Sequence, residues 1–271
     1  MKLQQAILPV AGLGTRFLPW TKNIPKEMLP IGNQPLIALL VDECLQVGIT
    51  DICFVISHGK ESIPKYFSAD PALEAKLEQK GKLNLLEQLR RYNDVHFHTV
   101  YQEEPLGDGH AVLQAREWIK SDVVAILFGD DLYAGEKSGL EQLCHAYAGL
   151  PSGANLLCLE EVPLQRVSSY GIAAIDEIAS KDRMKKIIGL VEKPSPDEAP
   201  SNFGVVGKYI IPRQTINALA EIDGDHQKEI RLIDALIKEL PHAFVYGYVC
   251  EGKRLDTGTP EGYRKAIHIL G

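Results

Sequence analysis

Apolar runs of five or six residues, set apart by polar segments, recur along the first half of the chain. Residues 6–10 (AILPV), 52–56 (ICFVI) and 123–128 (VVAILF) are too short for helices and lack the alternation of a half-exposed sheet. They predict strands buried on both faces, the pattern of a parallel sheet. Between the first two, Leu36, Ile37, Leu40, Cys44 and Leu45 recur at helical spacing, with Pro35 at the start and Gly48 at the stop. Strand, helix, strand in this order makes a βαβ unit with a right-handed crossover. Residues 60–92, rich in Glu, Lys, Leu and Gln, predict one short helix and one longer one. Residues 95–101 alternate as a strand does, and a helix is expected over 111–119.

Past Gly149-Leu150-Pro151 the pattern changes. Strands are predicted over 156–160, 171–175, 187–191 and 205–211, with no long helices between them. An amphipathic helix over 229–240, a strand over 243–249 and a last helix beginning at Thr259 or Pro260 complete the chain. The whole predicts an α/β fold: a Rossmann-like mixed, mostly parallel sheet flanked by helices, with a smaller α+β lobe. Residues 1–271 are expected to form a single domain, with one half to about 150 and a second from about 151 to 271.

A chain of 271 residues buries a core without staples. Its formal charge of −7, with no basic block, argues against nucleic acid as a partner. Any anionic ligand must be held by a few local cations. The five cysteines include no C-x-x-C pair and sit mostly in apolar runs, which reads as reduced, buried thiols. With no apolar run near ~18 residues and no signal-like start, the expectation is a cytoplasmic protein without membrane contact. His96 and His98 share a strand face, but no third ligand accompanies them, so they read as polar-face residues.

Chemistry concentrates in residues 8–30. The first strand breaks into Ala11-Gly12-Leu13-Gly14-Thr15-Arg16, a bend with little side-chain bulk. Its backbone N–H groups are suited to phosphate oxygens. Arg16 offers a forked donor and Lys26 a mobile point charge, while Pro19, Pro25 and Pro30 keep the segment out of helix. The dinucleotide fingerprint fails at position 17, which holds Phe, and no P-loop string occurs. Gly129-Asp130-Asp131 follows the most apolar strand, at the carboxyl end where open α/β sheets bind ligands. Two carboxylates there suit Mg²⁺, and Asp131 reads equally well as a turn cap. Asp256 is a second candidate ligand, provided the fold brings it to Asp130.

Gly12-Leu13-Gly14-Thr15-Arg16, Lys22 to Pro30 (KNIPKEMLP), Val191-Glu192-Lys193-Pro194 and Asp256 together resemble the sugar-phosphate nucleotidylyltransferases, most closely their bacterial uridylyltransferase branch. The likeness spans nearly the whole chain. It implies a nucleotide-diphospho-sugar transferase fold and a reaction joining UTP to glucose 1-phosphate, releasing pyrophosphate. It implies that Ala11, Gly12, Gly14 and Thr15 meet the nucleotide, with Gln102 and Gly107 at the base. Arg16, Lys26 and Lys193 become the catalytic cations. Gly171, Glu192 and Lys193 take the sugar phosphate, Asp130 and Asp256 take Mg²⁺, and a homodimer or homotetramer is expected. The sequence departs from the branch at Phe128-Gly129-Asp130-Asp131, at residues 229–234 (EIRLID) and at Asp256-Thr257-Gly258, the last nearer a thymidylyltransferase ending. A dTTP-dependent enzyme and a catalytically silent relative stay open as alternatives.

Overall fold

The computed structural model describes residues 3–222 and 229–271. In chain order the elements are β1 (Gln5–Pro9), the small hairpin β2 (Pro30–Ile31) and β3 (Gln34–Pro35), α1 (Leu36–Gln46) and β4 (Asp51–Ile56). Then come α2 (Ser62–Tyr66), α3 (Pro71–Gln79), α4 (Leu83–Arg90), β5 (His96–Tyr101), α5 (Asp108–Gln114), β6 (Val123–Leu127), β7 (Asp131–Ala134) and α6 (Gly139–Tyr147). The second half holds β8 (Asn155–Glu161), β9 (Gly171–Lys181), β10 (Met184–Glu192), β11 (Phe203–Pro212), α7 (Arg213–Leu219), α8 (Leu232–Glu239), β12 (Val245–Val249), β13 (Lys253–Asp256) and α9 (Pro260–Leu270).

Nine strands form one sheet in the order β5-β4-β1-β6-β11-β8-β12-β10-β9, and β9 also pairs back onto β11. The β5, β4, β1 and β6 pairings are parallel, because helices return the chain between them. Around β11 the pairings turn antiparallel, so the parallel character belongs mainly to the first half. β11 bonds to β6, β8 and β9 and joins the two halves in one ladder. Alternate residues serve opposite faces: Ala6 and Leu8 enter the layer built on α1, while Ile7 enters the layer built on α5, α7 and α8.

Several boundaries differ from the sequence expectation: β9 and β10 run longer, to Lys181 and from Met184, and the β7–β13 ribbon is an addition. Residues 60–92 form three helices rather than two, because the chain turns at Gly81, which sits at a φ of 64°. Helix α5 begins at Asp108, ahead of the expected 111, and α8 begins at Leu232 rather than 229. In both cases polar residues start the turn: the Asp108 carboxylate accepts from Leu232 N–H at 2.9 Å, and Asp234 accepts from Arg231 N–H at 3.2 Å. The two helix starts are thereby tied together.

Candidate active site

β1 ends at Pro9, and the chain crosses the strand ends as a loop of three short 3-10 turns, Thr15–Phe17, Trp20–Lys22 and Lys26–Met28. Gly14 takes the left-handed conformation, φ 65°, that lets the bend reverse. Its carbonyl accepts from the Thr21 hydroxyl at 2.8 Å, and Arg16 Nη1 reaches the Gly258 carbonyl at 3.4 Å. The loop is also held from beneath. Lys60, buried, donates to the Val10 carbonyl at 2.5 Å and to Glu27 Oε2 at 2.9 Å. Burial pushes the Lys60 ammonium below the ordinary lysine value, against the opposing pull of Glu27. The sequence reading missed this pair; the only signal was an isolated lysine just past the carboxyl end of β4.

Above that floor lies a cavity of about 280 Å³, lined by Ala11, Gly12, Lys26, Gln102, Gly107 and Asp130 among others. Six residues expected from the sequence therefore meet in one place. The Gln102 amide nitrogen donates to the Gly107 carbonyl at 2.9 Å and lies 3.0 Å from His110 Nδ1, which fixes the side chain's direction. Gly14, Thr15 and Arg16, further along the same loop, do not line the cavity, and Thr15 and Arg16 are exposed.

Asp130 and Asp256 converge. Asp130 Oδ2 and Asp256 Oδ1 lie 2.7 and 3.0 Å from the point where a Cβ on Gly258 would sit, so any side chain there would fill the gap between them. Lys26 Nζ rests on Asp130 Oδ2 at 2.5 Å. Burial alone would lower the Lys26 pKa and raise that of Asp130. The mutual attraction wins in both, helped by Glu27 at Lys26 and by Arg254 at Asp130, so Lys26 titrates above its ordinary value and Asp130 below. Asp131 does not cap a turn: it is buried, and Arg254 Nε pairs with its Oδ2 at 2.6 Å. Among the described residues no group of three His, Cys, Asp or Glu could hold a metal, and His98 stacks on Trp118 instead.

The remaining residues sit on the far side of β11. Gly171 and Glu192 are cross-strand partners at the ends of β9 and β10. Glu192 Oε1 lies 3.4 Å from Lys193 Nζ and 3.6 Å from Arg231 Nη1. Lys193 has a φ of 47°, its N–H bonded to the Tyr170 carbonyl, and its side chain is 57% exposed. Arg231 falls in the 229–234 stretch at which the sequence departs from the uridylyltransferase pattern, and the sequence reading assigned it no site role.

A cavity over parallel strand ends, with two aspartates beside it and a carboxylate–ammonium pair beyond, agrees with what the chain resembles. The family profile described as nucleotidyl transferase matches residues 5–270. The chain belongs to that family. It is 40% identical over 265 residues to the UTP–glucose-1-phosphate uridylyltransferase of Bacillus subtilis, covering 97% of this chain and 89% of that one. A UTP-bound UGPase from Acinetobacter baumannii superposes with a TM-score of 0.88 at 36% identity, covering 98% of this chain and 92% of that one. A UDP-glucose pyrophosphorylase complexed with UDP-glucose gives 0.85 at 32%, covering 98% and 97%. Among the described residues, no helix is long and apolar enough to cross a membrane.

Proposed function

We infer that this protein is a UTP–glucose-1-phosphate uridylyltransferase, making UDP-glucose and pyrophosphate. The observation that carries the site assignment is the meeting of the bare bend, Lys26 and Gln102 in the cavity that Asp130 borders, with Asp256 turned toward the same carboxylate. The first half of the chain takes the nucleotide and the second takes the sugar phosphate.

Backbone N–H groups at residues 11–14, with Arg16 and Lys26, suit the triphosphate. With its amide hydrogens directed to Gly107 and His110, Gln102 keeps its oxygen for a donor on the pyrimidine edge. Glu192 suits vicinal sugar hydroxyls, while Lys193 and Arg231 neutralise the sugar's phosphate. That phosphate, with a second pKa near ~6, is already largely dianionic at neutral pH, so its oxygen attacks the α-phosphate without a general base. The chain's task is to align two polyanions and to offset charge on the α-phosphate and the leaving pyrophosphate. The two hard carboxylate oxygens of Asp130 and Asp256, without nitrogen or sulfur donors, fit Mg²⁺, which when bound supplies further charge neutralisation of the phosphates.

Exposed Ile267, Ile269 and Leu270 on α9 support self-association as a homodimer or homotetramer, and the cytoplasm is the compartment we assign. A pyrophosphate-release assay with UTP and dTTP against glucose and galactose 1-phosphates, with and without Mg²⁺, tests the function. UTP with glucose 1-phosphate and Mg²⁺ is expected to be fastest. Faster turnover with dTTP would replace the uridylyl reading, and no turnover with any pair would overturn it.

A further inference from the structure

Asp256 lies at the end of β13, and β13 pairs only with β7 in a ribbon of two four-residue strands, among the described residues. A ribbon that short is marginal alone and needs fastening if its side chains are to stay in place. Arg254 supplies the fastening. It precedes Asp256 by two residues, so both project from the same face. Its Nε meets Asp131 Oδ2 at 2.6 Å on the partner strand, and its Nη1 meets Glu160 Oε2 at 2.8 Å on β8.

Arg254 thus fastens the ribbon across to its own partner strand and down to the main sheet. Asp131 is also the cross-strand partner of Asp256 and accepts from Gly207 N–H at 3.0 Å. Its other oxygen, Oδ1, is buried without a hydrogen-bond partner among the described residues, and Arg254 is the cation in direct ion-pair contact with this carboxylate. Next along the chain, Thr257 donates to the Asp130 carbonyl through both its N–H, at 2.8 Å, and its hydroxyl, at 3.0 Å. A slip of the ribbon would therefore pull Asp256 away from Asp130.

We propose that Arg254 is a positioning residue: by clamping Asp131 and Glu160 it holds Asp256 opposite Asp130 and so sets the protein's affinity for a divalent cation. This inference rests on the assignment of the two aspartates as metal ligands. Arg254 does not line the cavity at Gly12, Lys26 and Gln102, and its guanidinium is taken up by Asp131 and Glu160. Lysine cannot replace it fully, because one ammonium lacks the planar fork that serves two carboxylates at once.

The test is Mn²⁺ binding followed by electron paramagnetic resonance, with the full-length protein and a non-hydrolysable α,β-methylene UTP analogue. Arg254→Met is expected to weaken Mn²⁺ binding at least tenfold while metal-free analogue affinity stays within twofold. Arg254→Lys and Glu160→Gln are expected to fall between it and wild type. An Arg254→Met protein that melts earlier but binds Mn²⁺ as wild type does would overturn the proposal. Should that variant not fold, wild-type Mn²⁺ affinity in both milder variants would overturn it equally. Asp130→Asn separates the two levels: unchanged Mn²⁺ binding there removes the metal assignment itself, whereas a loss there with none at Arg254 removes only the clamp.

Discussion

The two ends of the cleft are built differently. At the nucleotide end the loop is secured from beneath by the buried Lys60–Glu27 pair and closed above by Thr21 and Arg16. At the sugar end, Lys193 stands on a hairpin end with its side chain more than half exposed, and its nearest charged neighbour is Glu192 at 3.4 Å. The difference teaches where order is present beforehand. On the proposed assignment the triphosphate would meet groups already in place, whereas the sugar phosphate would have to immobilise a largely exposed lysine, an ordering that costs affinity.

The comparison breaks most visibly at its buried side. Lys60→Met leaves Glu27 charged and unpaired under the loop, so stability should fall by about 3–5 kcal/mol. Urea unfolding would read it, and a loss below about 1 kcal/mol would show that the loop is not anchored there. Next comes the junction between the two ends. Asp130→Asn should lower kcat/KM by roughly 10²–10³-fold, the scale of losing a preorganised electrostatic contact at the reacting group. A smaller loss than from Asp131→Asn with a normal melting profile would reverse the roles given to these neighbours.

At the open end, Lys193→Ala should raise KM for the sugar phosphate by roughly ten- to a hundredfold, or about 1.5–3 kcal/mol for one charge-assisted contact. KM for UTP should hardly change; equal effects on both substrates would dissolve the distinction between the two ends.

The smallest effect concerns pH. The raised pKa of Lys26 contributes stability that is complete below about 10.4, its unfolded value, and fades as pH climbs through the folded one. The lowered pKa of Asp130 contributes stability complete above about 3.9 and fades as pH falls through its folded value. The advantage of wild type over Lys26→Met should therefore be flat between about pH 5 and 9, and shrink below about 4. A slope through neutral pH in a urea-unfolding series would mean that the pair is not formed.

What could be read in advance follows from how local each signal is. The bend at Gly12 and Gly14, the acidic strand end at Asp130 and the Glu192-Lys193 pair are contiguous strings whose backbone chemistry is visible in one dimension. Convergence of Asp130 with Asp256 could be posed only as a condition on the fold, since it depends on the β7–β13 register. Lys60 escaped notice because its partner lies 33 residues earlier, and nothing local distinguishes it from a solvated lysine. The pairing of Arg254 with Asp131 escaped for the same reason at a separation of 123 residues, although Asp131 itself was visible in the acidic strand end. Lys208, wholly buried against Glu43, falls inside an expected strand, where nothing in the neighbouring residues announces a charged partner 165 positions away. The break at Gly81 was legible in principle, but the helix-forming residues on either side outweighed it.

The triple pairing of β11 bears on motion. A molecule whose halves are stitched through one shared strand has no hinge there about which to clap shut like tweezers. Capture of a second substrate must come from the segments overhanging the cleft, while the platform beneath them stays still.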